Sequence, residues 1–547
     1  MTVQNRGFTR NSKKTARLQQ WLPIALVLLL AATLRFYQLG TESLWIDEIY
    51  SIRDARSLPT DLLNSTRPLY YLLLGVWMQF GSSEAWLRGL GVIFGVGSVF
   101  LIYLLGFRLS GKATGLVAAL LLSLSPLAIN HSQEVRMYML SVCLGLGGTL
   151  ALSHGLERPT KSSFGWWAGL RVLAILSTPL NFLLLLPDSV LLGVRFRKQR
   201  YSLLKFRKWL LLAGILVLPT LVMFALELPS FLAKKESEIP PPGIRAFVGA
   251  LTRFTVWPLE SPIEGLAGFY EHFFFNAYAA VLMILLGVAL FNKQRSRQLF
   301  WAGTWAFLPL AVLFSLSQIH TSLWGVDRYL LFASPYVLIL LAAGWVQVWS
   351  WQRILAFLVA LIYAIAVGGA LIHYYTEQSR EDWRGVVQVI TSNEQSDDAI
   401  VLFPDAFTPA VNYYYEGAIP IYVMESLSAD PEVTQQDAQR ALRNLPSDHQ
   451  RFWLVFRFYD FGKHREQRQL LQSAIAQQFQ IKKHQTFSGE VELFLVRPRS
   501  APKRAEASSS HAQLQQPKPN SVGKIPVRVL PMLASIPERN SPNADSW

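Results

Sequence analysis

Two adjacent carboxylates, Asp47 and Glu48, stand in the run Leu44-Trp45-Ile46-Asp47-Glu48-Ile49-Tyr50-Ser51, flanked by apolar and aromatic residues. Such neighbours partly desolvate a carboxylate and disfavour its charge. Adjacent side chains on a helix point about 100° apart, so the two cannot address one atom equally. The pair suits a division of labour. One carboxylate takes the proton of an attacking hydroxyl, while the other positions the acceptor or holds a divalent cation. An acidic pair resting on a helix dipole is the structural alternative.

Cations occur in two further polar runs, Asn130-His131-Ser132-Gln133-Glu134-Val135-Arg136-Met137-Tyr138 and Trp324-Gly325-Val326-Asp327-Arg328-Tyr329. An arginine offers a planar fork that matches phosphate, so Arg136 and Arg328 are candidates for holding a phosphate or diphosphate. Snorkelling to an interface is the alternative for Arg136, and pairing with Asp327 for Arg328. Glu134 and Tyr138 are supporting residues. His131 is a weak metal ligand, because no second histidine lies at ligand spacing. A divalent cation is the one cofactor these residues suggest, with Asp47 and Glu48 as its ligands. Arg67, Arg88 and Glu84 read as surface anchors beside a short apolar helix at Leu69–Phe80, too short to span.

The elements that must position these residues are apolar. The chain has 547 residues, 51% hydrophobic and only 16% charged. Apolar runs of roughly 15–22 residues recur from Trp21 to about Ile372, matching the hydrocarbon thickness at helical rise. The net charge of +15 comes from basic residues in short segments between those runs. That is the retention signal of cytoplasmic loops, and it excludes nucleic acid as the partner. Cys143 is the only cysteine, so no intrachain disulfide forms. The basic N-terminus, residues 1–20, precedes Trp21–Leu34 and then Arg35-Phe36-Tyr37, which is a retained anchor rather than a cleaved signal.

Charge asymmetry predicts spans at about 21–37, 86–107, 114–130, 135–152, 209–228, 276–291, 299–316, 329–349 and 354–372. The stretch 164–194 reads as a hairpin turning at Ser177–Asn181, because a single span would put Arg195, Arg197, Lys198 and Arg200 outside. The expectation is a polytopic α-helical membrane domain over 21–375 with about eleven spans, the N-terminus cytoplasmic and the C-terminus outside. The outer pieces are a catalytic region at 40–85 and a covering loop at Pro229–Phe275. Residues 380–499 form a small α/β domain, and the tail 500–547 is disordered. That domain has strands at Ala399–Phe403, Ile419–Val423, Phe452–Phe456 and Val491–Val496, and helices near Gln435–Leu445 and Glu466–Phe479. With this parity all three polar runs face the same side of the membrane. Cations for an anionic leaving group, a base and a headgroup-level site are what transfer from a lipid-phosphate donor needs.

The order of the motifs resembles a known family. Leu44-Trp45-Ile46-Asp47-Glu48 follows the first span, then Arg67-Pro68-Leu69-Tyr70-Tyr71, then Ala85-Trp86-Leu87-Arg88. With Ser132–Tyr138, Arg328-Tyr329-Leu330-Leu331 and Asp382-Trp383-Arg384-Gly385, this is similar to the GT-C glycosyltransferases of the bacterial protein O-mannosyltransferase and aminoarabinose-transferase type. The resemblance implies a GT-C bundle with interfacial helices, a polyprenyl-phosphate sugar donor and an inverting reaction. It assigns Asp47 as the base with Glu48 as its partner, and sets Arg136 and Arg328 near the donor phosphate or the bundle interior. The chain departs from the pattern at Thr66-Arg67, where many relatives carry His or another Pro. The expected partners are the polyprenyl-phosphate donor, a glycan acceptor that is lipid, protein or polymer, and membrane lipids, at a plasma (inner) membrane. An oligosaccharide transferase using lipid diphosphates, a transporter or flippase, and a non-catalytic scaffold are the competing readings.

Overall fold

The computed structural model describes residues 5–61, 65–196, 241–256, 274–291, 296–319, 326–377, 380–424, 434–446, 448–458 and 463–499, plus Trp324 and isolated positions between 211 and 226. Side chains of the first nineteen residues and of 58–64 lie outside that description, as do most of the expected span 209–228, most of the loop 229–275 and the tail 500–547.

The membrane unit starts with α1 (Asn5–Phe36), α2 (Ile46–Asp61) and α3 (Pro68–Trp77). It continues through α4 (Glu84–Ser110), α5 (Lys112–Leu124), α6 (Pro126–Ser132) and α7 (Tyr138–Glu157). Next come α8 (Lys161–Ser177), α9 (Leu185–Phe196), α10 (Ile244–Arg253) and α11 (Phe275–Leu290). It closes with α12 (Ser296–Ile319), α13 (Ser334–Trp351), α14 (Arg353–Thr376) and α15 (Trp383–Thr391). Among the described residues five helices are long and apolar enough to cross a membrane, or six if α5 and α6 make one span bent by 64°. Gln20–Phe36 and α11 are apolar but shorter. This is a polytopic helical membrane protein. The count of about eleven stays an expectation, since 209–228 lies largely outside the description. On α14, Ile354, Phe357, Leu361 and Ile365 point outward, as on a lipid-facing helix.

Local chemistry explains the breaks. Pro68 opens α3 at its first turn, and the Ser83 hydroxyl caps α4 by accepting from the Trp86 N–H. Helices α8 and α9 are separated by a 3-10 segment, Pro179–Leu184, where the hairpin turn was expected. Between α5 and α6 stands Ser125-Pro126, with Ser125 extended as a pre-proline residue prefers. Proline lacks the N–H that would reach the Leu122 carbonyl. The Arg35 guanidinium takes that carbonyl (3.0 Å) and the next, Ser123 (3.2 Å). It is fully buried, has no carboxylate partner among the described residues, and also donates to Ser132 Oγ and Ala31 O. Arginine in α1 therefore fixes the bend that delivers residues 130–138.

Small residues let α4 and α5 cross closely: a Cβ on Gly115 would sit 2.5 Å from the Tyr103 carbonyl oxygen. Deeper in the bundle, Asp188 on α9 is wholly buried and accepts from Arg171 and from the indoles of Trp167 and Trp305. Arg171 also donates to Gly145 O and Thr149 Oγ1. This knot ties α7, α8, α9 and α12 together with every charge paired.

The chain divides into two compact units. The second contains Ile390–Thr408, Glu416–Thr486 and the residues from Glu492 onward, while Arg380–Val389, Pro409–Tyr415 and Phe487–Val491 group with the membrane unit. The second unit holds β1 (Asp398–Phe403), β2 (Ile421–Val423), β3 (Arg451–Arg457), β4 (Phe479–Phe487) and β5 (Val491–Pro498), in the order β2-β1-β3-β5-β4. Strand β1 runs parallel to both its neighbours, with Val401 opposite Tyr422 and Leu454. Helices at Gln435–Arg443 and Lys463–Gln478 pack Ala438, Leu442, Leu471 and Ile475 onto the sheet. Strand β4 was not foreseen. It is an edge strand whose Gln480, Lys482 and His484 leave one face polar, so hydropathy hides it.

Candidate active site

Sites on α2, the 133–137 bend and the turn before α13 meet within the membrane unit. Glu48 and Asp47 part company at once. Glu48 is wholly buried and spends both oxygens on structure. Its Oε1 accepts from Arg88 Nε (2.9 Å) and the Val135 N–H (2.8 Å), and its Oε2 from Arg88 Nη2 (2.7 Å) and the Trp45 N–H (3.2 Å). Arg88 uses its remaining donors on the carbonyls of Leu39, Glu42 and Ser43. The expectation that Arg88 anchors the surface is corrected here: it is fully buried, because only its five-donor fork can close the loop before α2 onto α4.

Asp47 faces the other way and keeps a quarter of its side chain exposed. Its Oδ2 lies 3.4 Å from Arg136 Nη2 and 3.8 Å from Arg328 Nη1. Arg136 is anchored by donating to the Asp47 carbonyl (2.9 Å) and to Ser51 Oγ (3.1 Å), and it lies over the Tyr138 ring. Burial opposes the charge on Arg136, but Tyr138 and Asp47 outweigh it and raise its pKa above the ordinary value. The same balance of burial against Tyr138 and Asp47 raises Arg328. Both stay cationic. Two cations thus share one carboxylate, leaving one positive charge in excess beside it.

Glu134 and His131 form an adjoining pair. His131 Nδ1 is 2.9 Å from Glu134 Oε2, Asn130 donates to Oε1 (3.1 Å), and the His131 ring meets Tyr138 edge-on at 5.0 Å. Burial pushes the Glu134 pKa up, but His131, Arg380 and Arg136 together hold it down at about 2. The carboxylate is therefore ionised at neutral pH. Helix α7 begins only at Tyr138, so Glu134 and Arg136 lie in an irregular bend rather than in the first helical turn expected for them. Arg380 extends this network, donating to Asn130 Oδ1 (3.2 Å) and pairing with Glu42. Glu381 accepts from the Ile46 N–H and from Ser43 Oγ through its carbonyl, clamping the start of α2. Neither Arg380 nor Glu381 was singled out in the sequence; both follow α14 in a stretch without periodicity.

The turn holding Arg328 is fixed from its own side. Arg253, the last residue of α10, pairs with Asp327 (2.8 Å), so Asp327 does not neutralise Arg328 as the sequence alternative supposed. Trp324 stacks on Phe247 and donates to the Ala246 carbonyl (3.2 Å). The described part of the segment 229–275 therefore packs on this turn.

A divalent cation fits these residues poorly. Glu48 has no free lone pair, and Asp47 already faces two guanidinium groups. Among the described residues no three His, Cys, Asp or Glu side chains group as a metal site. Asp47, Arg136, Arg328, Tyr138, Glu134 and His131 are brought together; Glu48 lies beside them, its carboxylate committed to Arg88 and the N–H groups of Trp45 and Val135.

No protein-family profile matches the sequence, and no curated protein matches it. Solved structures do. ArnT from Cupriavidus metallidurans in its apo state superposes with a TM-score of 0.53 at 13% identity, over 86% of this chain and 97% of ArnT. Its complex with undecaprenyl phosphate gives 0.52 at 12% identity. The archaeal oligosaccharyltransferase AglB from Archaeoglobus fulgidus, in complex with an inhibitory peptide and a dolichol-phosphate, gives 0.51 at 12% identity, over 88% of this chain and 74% of AglB. Both proteins are GT-C glycosyltransferases. This chain has the GT-C fold. What this chain shares with these proteins is the fold; the site is described by its own geometry above.

Proposed function

We propose that this protein is a membrane glycosyltransferase that moves a sugar from a polyprenyl-phosphate-linked donor to an acceptor on the extracytoplasmic face of a plasma membrane. The observation that carries the reading is the placement of Asp47 between Arg136 and Arg328, with Asp47 and Arg328 partly open to solvent. The complexes of ArnT with undecaprenyl phosphate and of AglB with dolichol-phosphate support the donor class. The bias of basic residues to the segments between spans supports the sidedness.

In this reading the acceptor hydroxyl oxygen attacks the anomeric carbon while Asp47 takes its proton. The bond from that carbon to the phosphate oxygen breaks on the opposite face, inverting the centre. The electron pair leaves on the phosphate, whose charge Arg136 and Arg328 hold. Glu134 and His131 orient the bend that carries Arg136, and Tyr138 lines the space between the cations. Glu48 serves by fixing α2, not by touching substrate. Both guanidinium groups converge on a single carboxylate oxygen, which favours one phosphate over a diphosphate.

Mass spectrometry of glycolipids and glycoproteins from a deletion strain tests this. A missing single-sugar modification supports it. Accumulation of a long lipid-linked glycan favours oligosaccharide transfer instead, and an unchanged glycome contradicts both.

A further inference from the structure

Tyr70, on α3, is 1% exposed, yet its hydroxyl has no hydrogen-bond partner among the described residues. A buried hydroxyl without a partner is costly, and native structures rarely keep one without a use. The Tyr70 helix, α3, packs directly on α2, which carries Asp47, since a Cβ on Gly75 would stand 3.3 Å from the Ala55 carbonyl oxygen, and the charges of Arg136, Glu48 and Glu134 act on the hydroxyl. Nor is it alone. Arg136 Nε, Arg328 Nε, Arg67 Nε and Trp45 Nε1 are also buried without an acceptor. All four are donors only. The tyrosine oxygen is able to accept from such a donor, but none reaches it. The two guanidinium groups beside Asp47 therefore each keep an unpaired donor, which suits a ligand made of acceptors alone. The phosphate of a lipid-linked sugar, a diester in the donor and a monoester once the sugar has left, presents such oxygens and no donor. Burial also pushes the Tyr70 pKa well up, so the proton stays on the oxygen.

We propose that Tyr70 is a further residue of the donor site, its hydroxyl donating a hydrogen bond to a phosphate oxygen of the bound lipid donor. This rests on the donor-phosphate reading above. Tyr70 supplies a neutral arm beside the cations Arg136 and Arg328. While no anion is bound, the Asp47 carboxylate is the acceptor those cations hold, and Tyr70 has none.

The test is Y70F in the full-length protein in nanodiscs, with binding of undecaprenyl phosphate, undecaprenol and inorganic phosphate measured beside melting temperature. Because the hydroxyl is buried and bonds to nothing in the free protein, its removal is expected to raise the melting temperature or leave it unchanged, never to lower it. Affinity for undecaprenyl phosphate should fall about tenfold or more, the worth of one hydrogen bond to a charged group, with undecaprenol binding unaltered. Wild-type affinity in Y70F, alongside loss in R136Q, overturns the role of Tyr70 and leaves the donor reading standing. A lowered melting temperature makes Tyr70 structural and also overturns it. An effect confined to inorganic phosphate assigns Tyr70 to a free-anion site and removes it from the lipid site. If the wild type binds undecaprenol as well as undecaprenyl phosphate, the donor-phosphate reading fails and takes this one with it.

Discussion

Glu48 and Arg88 form a two-point ion pair with neither side chain reaching solvent, Nε to Oε1 at 2.9 Å and Nη2 to Oε2 at 2.7 Å. Breaking such a pair from one side leaves an uncompensated buried charge. R88M is expected to cost about 3–5 kcal/mol and to reduce the yield of folded protein. Arg53, paired with Asp54 on the surface, is the control, and R53M should cost less than about 1 kcal/mol. Equal melting temperatures for the two variants would contradict the structural role of Glu48.

Asp47 behaves differently, since it competes with the donor for its own cations. D47N removes the carboxylate that Arg136 and Arg328 hold. Affinity for undecaprenyl phosphate should then rise about two- to fivefold. A base that merely accepts a proton predicts no change, and a metal ligand bridging to the phosphate predicts a fall. Equilibrium binding in detergent or nanodiscs separates the three.

Glu134 gives a pH dependence with a definite sign. Its folded pKa of about 2 lies below the ordinary glutamate value of 4.5, so its carboxylate contributes stability above that value. The contribution is lost as pH falls from about 4.5 towards 2. E134Q lacks it throughout. The melting-temperature gap between wild type and E134Q should therefore be constant above pH 5 and narrow as the medium is acidified below it. A gap that widens on acidification would reverse the sign and refute the assignment.

Gly91 on α4 faces the bend directly. A Cβ there would stand 2.6 Å from the Ser132 carbonyl oxygen and 3.0 Å from that of Glu134. Both obstacles are backbone, so G91A must displace the segment that sets His131, Glu134 and Arg136. A loss of about 1–3 kcal/mol is expected, with transfer reduced more than at Gly165, where a Cβ meets nothing within 4 Å.

Sequence reasoning reached the convergence of Asp47, Arg136 and Arg328 through sidedness. Each stands just outside an apolar run, and counting runs assigns them one face. It reached the α8–α9 hairpin through the cost of exporting the basic residues after Arg195. Sidedness does not tell one carboxylate from its neighbour. Whether Asp47 or Glu48 meets Arg88 depends on the register of α2 against α4, which no local pattern encodes. Tyr70 was invisible for a related reason: in an apolar run an aromatic reads as core, and only the empty surroundings of its hydroxyl mark it. Arg35 looked like the end of an anchor. Its role appears only when the carbonyls freed by Pro126 are found in its reach. The polar strand β4 lacked the alternation that would have revealed it.

The most direct test of the account is complementation of the deletion strain by D47N, with the modification read by mass spectrometry and membrane insertion checked by melting temperature. The account predicts that D47N is inserted and folded but restores no modification, while the wild type restores it. Restoration by D47N at the wild-type level would contradict Asp47 as the base.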